Sequence, residues 1–213
     1  MEPNGFSLRQ PVSERGLAFL LAGLALLFQC VPALAESLQW QRDAHPVAGV
    51  VTALTGHLTH WTWSHFVWDV AAFLGLSLAA ISIAPGRYRN GLFLAAVLIP
   101  LEIHFFQPEF QTYRGLSGID SALFGLLLAG LWQSGGTAKW ISAAGLLGFF
   151  GKTAFEWITG DTLFVSRSTD DFTPVGSAHV VGMISGVIAG FLPVKSRNVA
   201  HHSPESSRFC VEN

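Results

Sequence analysis

Two short stretches decide the fold of this chain: Gly115-Leu116-Ser117-Gly118 and, further along, Ala178-His179-Val180-Val181-Gly182. Each stands at the head of an apolar run that approaches the roughly 20 residues a helix needs to cross a bilayer. Ionisable and nucleophilic side chains are costly inside a membrane, so a serine and a histidine in this setting indicate function. Such a pair has an obvious chemical use, since serine can act as a nucleophile and histidine as its general base.

The composition is that of an all-α membrane protein. Hydrophobic residues make up 50% of the chain, charged residues make up 12%, and the mean hydropathy is +0.43. Apolar runs of near-transmembrane length predict six helices, at residues 16–35, 65–84, 91–106, 117–133, 139–158 and 178–194. They form one membrane domain over 16–195. A polar stub at 1–15 precedes this domain, and a polar tail at 196–213, expected to be disordered, follows it.

The first apolar run has a second interpretation as a cleavable signal peptide. Arg9 and Arg15 precede it, and it ends in Ala33-Leu34-Ala35, a small-residue pattern typical of a cleavage site. The run is long for a signal peptide, however, and its removal would leave five helices and an outside N-terminus. We therefore expect a retained first helix.

The distribution of basic residues predicts the orientation of the chain in the membrane. With the N-terminus in the cytoplasm, most Lys and Arg residues lie on the cytoplasmic side, Lys152 lies within a helix, and Arg42, Arg114 and Arg167 lie outside. Because cytoplasmic loops carry an excess of Lys and Arg, this pattern favours both termini inside. The net charge of −2 gives no argument for binding nucleic acid.

This orientation brings the polar residues of interest to one depth. Ser117 begins the fourth predicted helix, His179 begins the sixth, and His60 and His65 flank the beginning of the second. All three helices begin on the outer side. Scattered core residues need not share a depth, so the coincidence predicts an active site near the outer surface, where water can reach it.

Small residues follow both Ser117 and His179 at helical spacing. Steps of four from the serine give Ser121, Gly125 and Ala129, and steps of three and four from the histidine give Gly182, Gly186 and Gly190. Small residues let transmembrane helices approach closely. We expect the two stripes to face each other and to bring the serine hydroxyl within about 2.6–3.2 Å of the histidine ring.

These motifs resemble those of the rhomboid serine proteases over residues 40–194. The stretch 115–118 with the following Ala122-Leu123-Phe124-Gly125 looks like the rhomboid nucleophile motif. The Ala178-His179 pair with Gly182 and Gly186 looks like the rhomboid catalytic-histidine helix. His60, His65 and Asp69 are similar to the two histidines and the asparagine that enter the second rhomboid helix.

The resemblance implies a six-helix rhomboid-like bundle and a role for each of these residues. Ser117 is the implied nucleophile and His179 the implied base of a Ser–His dyad that needs no cofactor and no metal. The oxyanion hole is implied to use the Ser117 backbone N–H and His65. Asp69, His60 and Gly118 complete this implied site.

The sequence departs from the rhomboid pattern at two positions. Asp69 stands where most rhomboids have asparagine, and an ionised carboxylate only accepts hydrogen bonds, so it cannot donate to an oxyanion. A protonated Asp69 could donate; alternatively, Asp69 only orients His65. Ser121 stands where many rhomboids place a tyrosine that stacks on the catalytic histidine, so another group, for example Tyr113 or Trp68, must hold His179.

The stretch 113–122, Asp69 and the small size of the chain resemble one rhomboid subgroup more closely, the rhombosortases of Gram-negative bacteria. This resemblance implies a multi-pass protein of the bacterial inner membrane with its active site facing the periplasm. The implied substrates are exported proteins with a C-terminal Gly-Gly motif, an apolar helix and a basic end. Cleavage in or next to that helix would release them.

Two other functions stay open at the level of sequence. One is a catalytically silent rhomboid that binds transmembrane clients, which Asp69 and Ser121 keep possible. The other is a small transporter or channel that uses Asp120, Lys152 and Glu156 as a polar path. We expect Lys152 and Glu156, four residues apart, to form a structural ion pair, and Asp120 to support the site without acting as a third catalytic residue.

The remaining histidines do not predict a metal site. His57, His60, His65 and His104 lack a recognised ligand spacing, and no Cys, Asp or Glu completes one around them. We expect His57 to be a solvated residue at the membrane interface.

Overall fold

The computed structural model describes residues 13–159 and 175–193. The tail predicted at 196–213, nearly all of the predicted stub at 1–15 and most of the loop before the sixth predicted helix lie outside the described residues. The described chain is mostly helical, as the sequence predicts. Its helices are α1 (Glu14–Cys30), α2 (Pro32–Leu38), α3 (Pro46–Thr55), α4 (Trp63–Ile83), α5 (Tyr88–Phe106), α6 (Ser117–Ser134), α7 (Gly136–Thr159) and α8 (Gly176–Phe191).

Helices α4 to α8 correspond to the second to sixth predicted runs, with ends that differ by at most a few residues. The prediction of one continuous helix at 16–35 is wrong. The chain bends by 115° between α1 and α2, at Val31. Pro32 explains the break, since proline inside a helix removes a backbone donor and collides with the preceding turn, whereas it is well accommodated at the first position of α2.

Two helices, α4 and α5, are long and apolar enough to cross a membrane, and α1 with α2 makes a third candidate if the bent pair is one span. This agrees with a membrane protein. Helix α8 has only 16 residues, or about 24 Å of rise. The six-span arrangement and its orientation therefore stay predictions.

Helix α6 lies at the centre of the described structure, with α4, α5, α7 and α8 packed around it. Its contact with α8 is backbone against backbone. A Cβ atom added at Gly182 would collide with the Gly118 carbonyl oxygen, and one added at Gly186 would collide with the Ala122 carbonyl oxygen. Glycine is what permits this approach.

The stripe predicted on α8 is therefore correct, and two of the three residues predicted on the facing stripe of α6, Gly125 and Ala129, also pack against α8. Gly118 and Ala122, which were not predicted in this stripe, also contact α8, at Gly182 and Gly186. Ser121, which was predicted to lie in this stripe, is half-buried and donates a hydrogen bond to the Ser117 carbonyl oxygen at 2.9 Å.

The segment between α2 and α4 is more ordered than the sequence suggests. It contains α3, a 3-10 turn at Gly56–Leu58, and strand β1 (Trp40–Gln41), which pairs antiparallel with β2 (Thr112–Tyr113). Arg42 fastens this segment to α5. Its guanidinium donates to four carbonyl oxygens at and beyond the end of that helix, those of Ile103, His104, Gln107 and Phe110, at 2.6–3.0 Å. A cation is favoured there, since the last carbonyls of a helix lack partners within it.

The prediction that His57 is solvated is wrong. Its side chain is buried in the 3-10 turn, with Nε2 3.3 Å from the Ala96 carbonyl oxygen and its ring edge-on to Tyr113. Burial lowers the pKa of His57 from 6.5 to about 4, because desolvation penalises the charged imidazolium. His57 is thus a neutral packing residue beneath the start of α6.

Candidate active site

Ser117 and His179 meet at the beginnings of their helices. Ser117 is the first residue of α6, and His179 lies in the first turn of α8. His179 Nε2 is 3.1 Å from Ser117 Oγ, within the range of about 2.6–3.2 Å for a nucleophile and its base. The glycine contacts between α6 and α8 set this distance, because they fix the separation of the two backbones.

Asp69 of α4 binds the turn that precedes α6. Its Oδ2 accepts hydrogen bonds from the Leu116 N–H at 2.9 Å and from the Ser117 N–H at 3.2 Å. His65 Nε2 lies 3.2 Å from the same oxygen, and His60 Nε2 lies 3.4 Å from it. One carboxylate oxygen therefore occupies the point at which the expected oxyanion donors, the Ser117 N–H and His65, converge.

Of the two roles left open for Asp69, this geometry matches the orienting one. The carboxylate holds His65 and also the backbone of the nucleophile turn. His60 and His65 pack with their rings edge-on, 5.1 Å apart. His60 is buried, and desolvation lowers its pKa despite the neighbouring Asp69.

Gly115 is the residue that lets the turn pass so close to α4. Its φ is +129°, a region that L side chains rarely adopt. A Cβ atom there would lie 3.0 Å from the His65 ring and 3.3 Å from Asp69 Oδ2. Its N–H donates to the Gly56 carbonyl oxygen at 3.2 Å, and its carbonyl accepts from the Tyr113 hydroxyl at 3.1 Å.

Gly118, expected in or near the oxyanion hole, contacts neighbouring helices. A Cβ atom at this position would lie 2.8 Å from Ile99 Cδ1 and 3.3 Å from the Ala178 carbonyl oxygen. Close packing is enough to explain why residue 118 is a glycine.

The second ring nitrogen of His179 faces α7. Nδ1 lies 3.7 Å from Glu156 Oε2 and has no hydrogen-bond partner among the described residues. Lys152 Nζ lies 2.7 Å from both carboxylate oxygens of Glu156, which confirms the predicted ion pair. The proximity of that pair to His179 was not predicted. The available signal was depth, since Glu156 lies close to the outer end of the fifth predicted helix.

Tyr113 and Trp68 are the side chains suggested as supports for His179. Tyr113 packs against His57, with ring centroids 5.5 Å apart, and Trp68 is exposed on α4.

Asp120 is buried, and its Oδ1 has no hydrogen-bond partner among the described residues. Within the part of the chain that the structure describes, no group of three or more His, Cys, Asp or Glu residues could hold a metal ion.

The site thus contains a serine hydroxyl against an imidazole nitrogen, at a helix N-terminus whose first N–H groups point to a common position. Backbone N–H groups and the positive end of the helix dipole stabilise negative charge that develops on an oxygen. No protein-family model matches the chain, and comparison with curated proteins gives no match. The chemistry that this arrangement supports is nucleophilic acyl transfer.

Proposed function

We propose that this protein is an intramembrane serine endopeptidase of the rhomboid type. The observation that carries the proposal is the 3.1 Å contact between Ser117 Oγ and His179 Nε2 at the beginnings of two helices packed through glycine. A serine and a histidine can meet for structural reasons alone. Here the hydroxyl also lies beside two backbone N–H groups that both donate to one carboxylate oxygen, Asp69 Oδ2. Two donors aimed at one such point are what acyl transfer requires for its oxyanion.

The proposed reaction has two halves. Ser117 Oγ attacks the carbonyl carbon of the scissile peptide bond while His179 Nε2 takes the hydroxyl proton. The tetrahedral intermediate then collapses as His179 returns that proton to the leaving amine, which leaves an acyl-enzyme. Water, deprotonated by His179, attacks the ester, and the carboxylic product leaves with Ser117 restored. No cofactor takes part.

The oxyanion must share donors with Asp69. The Leu116 and Ser117 N–H groups already bind Oδ2 of this side chain. The substrate oxygen therefore has to displace Oδ2 from these donors or bind beside it with help from His65. This competition is the feature in which the site differs most from a preformed oxyanion hole.

The proposed setting is the bacterial inner membrane, with six spans, both termini in the cytoplasm and the dyad facing the periplasm. The candidate spans α4 and α5 and the positions of Ser117 and His179 at helix beginnings support it. The proposed substrates are exported proteins with a C-terminal Gly-Gly motif, an apolar helix and a basic end. The rhombosortase resemblance is the support for this substrate class.

The test is proteolysis in proteoliposomes with a substrate that carries a Gly-Gly motif, an apolar helix and a basic tail. Wild type is compared with Ser117→Ala and His179→Ala, and a fluorophosphonate probe reports the reactivity of the serine. We expect cleavage and labelling in wild type and neither in the two variants. Labelling of Ser117 without cleavage would retain the protease and reject the substrate class. A folded wild type that is not labelled would reject the protease.

A catalytically silent rhomboid that binds transmembrane clients is the second candidate. The specific observation that favours it is Asp69, whose Oδ2 occupies the oxyanion donors in this structure. It predicts that the apolar helix of the test substrate binds to wild type and to Ser117→Ala equally, with no cleavage by either.

A further inference from the structure

A half-buried ion pair, Lys152 with Glu156, lies on the side of His179 that faces away from Ser117. The Glu156 and His179 side chains are about equally buried, with 8% and 11% of their surfaces exposed, while Lys152 is more accessible at 27%. The pair joins α7 to α8, although α7 makes its main contacts with α6. A surface salt bridge would contribute little, but this carboxylate is directed at a catalytic ring.

The dyad requires a particular tautomer of His179. For Nε2 to accept the proton of Ser117, the proton of the neutral imidazole must be on Nδ1. A buried N–H without an acceptor is costly, so a ring with no partner at Nδ1 has no reason to keep its proton there. The acceptor that the structure places near Nδ1 is Glu156 Oε2, at 3.7 Å.

Electrostatic attraction alone does not explain why Glu156 faces His179. Lys152 lies against both oxygens of Glu156, so the pair presents little net charge to His179. Among the other acidic groups on helices packed near α8, Glu102 of α5 accepts a hydrogen bond from Ser177, and Asp120 of α6 is buried near Asp69. What Glu156 offers the ring is a hydrogen-bond acceptor on the side of Nδ1.

We propose that Glu156 is a positioning residue that holds His179 in the tautomer with Nδ1 protonated. This inference rests on the proposed function of the dyad. The contact at 3.7 Å is longer than a hydrogen bond and shortens when His179 becomes an imidazolium during attack. Catalytic hydrogen bonds are often long before substrate binds.

The test compares Glu156→Gln, Glu156→Ala and the matched control Lys152→Gln. In Glu156→Gln the amide oxygen faces the Lys152 ammonium, which leaves the amide N–H₂ directed at Nδ1. A donor there favours the wrong tautomer, with the proton on Nε2. In Lys152→Gln the ion pair is equally lost, but Glu156 remains an acceptor for His179.

Three measurements are made on each full-length variant in detergent: the rate of fluorophosphonate labelling at Ser117, kcat and KM for the Gly-Gly substrate, and the ¹⁵N chemical shifts of His179, assigned with a His179→Gln sample. We expect both Glu156 variants to lose about 10- to 100-fold in labelling rate and kcat, by analogy with groups that orient a metal-binding histidine. KM should stay unchanged. Glu156→Gln should be at least as impaired as Glu156→Ala and should show the Nε2-protonated tautomer.

A structural ion pair would give a different pattern. Lys152→Gln would then be as damaging as Glu156→Gln, Glu156→Ala would be the worst of the three, and the His179 tautomer would not change. That result, or labelling at the wild-type rate in both Glu156 variants, would overturn the proposal. If wild type itself is not labelled, the proposed function fails. The tautomer in wild type and Glu156→Gln then still decides whether Glu156 holds His179.

Discussion

Helices α8 and α7 both pack on α6, but they do so through different parts of the chain. Along α8, the nearest atoms to Gly182 and Gly186 are backbone atoms of α6. Along α7, the nearest atom to Gly145 is Leu128 Cδ2, and a Cβ atom added there would lie 2.7 Å from it. The outward face of α7 is apolar and exposed.

This difference indicates which distances in the site are fixed by the packing of the backbone and which can change. Backbone cannot move aside, so the 3.1 Å contact between Ser117 and His179 is fixed by the α6–α8 interface. The end of a leucine side chain can rotate, so α7 can adjust its position. The 3.7 Å contact from Glu156 to His179 depends on that more adjustable helix.

The largest effect is expected from Gly186→Ala, which would break the rigid interface. The added Cβ would collide with the Ala122 carbonyl and lie 2.8 Å from the Leu126 nitrogen, so the helices must separate. A displacement near 1 Å costs about 10²-fold in catalysis, and overpacking costs about 1–3 kcal/mol of stability. We expect fluorophosphonate labelling to fall about 100-fold, measured beside an unfolding titration.

Gly148→Ala on α7 is the matched control. No atom lies within 4 Å of a Cβ atom at this position, so the change should gain helix propensity, up to about 1 kcal/mol, and leave labelling unchanged. Equal losses in the two variants would mean that the comparison between α8 and α7 is wrong.

Asp69 provides a third kind of contact on α6, between a side chain of α4 and two backbone N–H groups. In Asp69→Ala these buried donors lose their acceptor, which costs about 1–3 kcal/mol for each group. In Asp69→Asn the amide oxygen still accepts, and the negative charge at the oxyanion site is gone. We expect Asp69→Asn to remain folded and to label about tenfold faster than wild type, or about 1.4 kcal/mol off the barrier.

The unfolding free energy and the labelling rate of both Asp69 variants are measured under the same conditions. Slower labelling of a stable Asp69→Asn protein would show that the carboxylate assists the reaction and does not compete with the oxyanion.

Much of the helical fold could be predicted because apolar length is a local property. The second to sixth runs predicted α4 to α8 with ends that differ by at most a few residues. The break at Pro32 was present in the sequence, but the apolar run continued across it and concealed the bend. The strand pair between Trp40 and Tyr113 could not be predicted, since two-residue strands far apart in sequence carry no periodic signal.

The candidate site was predictable where depth and helix face are sufficient. Depth and the small-residue faces together place Ser117 opposite His179. They do not specify which neighbour meets the far side of the histidine ring, because that depends on how α7 is rotated around its own axis. Glu156 was therefore interpreted as the partner of Lys152 or as part of a polar path, and not as a neighbour of His179. The burial of His57 was missed for a related reason, since it depends on the packing of an irregular segment under α6.

The segment that contains His57 packs under the start of α6, and the unfolding free energy of the protein should depend on pH through this histidine. The pKa of His57 is about 4 in the folded protein against 6.5 unfolded, so the unfolded chain binds more protons between these values. The stabilisation that comes from the lowered pKa of His57 is complete above pH 6.5. It is lost as the pH falls toward 4, by up to about 3 kcal/mol. His60, whose pKa is also lowered, adds to the same trend.

We expect unfolding free energies measured between pH 7 and 4.5 to fall less steeply in His57→Gln than in wild type. His45→Gln, a change at an exposed histidine, should keep the wild-type slope. Parallel slopes in all three proteins would contradict the burial of His57.

The smallest effect is expected on the adjustable side of α6. Ser142 of α7 is buried and donates a hydrogen bond to the Leu128 carbonyl oxygen at 2.9 Å. Ser142→Ala removes the hydroxyl donor, but the Leu128 carbonyl oxygen lies within helix α6 and can still accept a hydrogen bond there. We therefore expect a loss of about 1 kcal/mol in unfolding free energy. Because α7 does not set the distance between Ser117 and His179, the labelling rate should not change. A large fall in labelling with this small fall in stability would show that α7, like α8, fixes the geometry of the dyad.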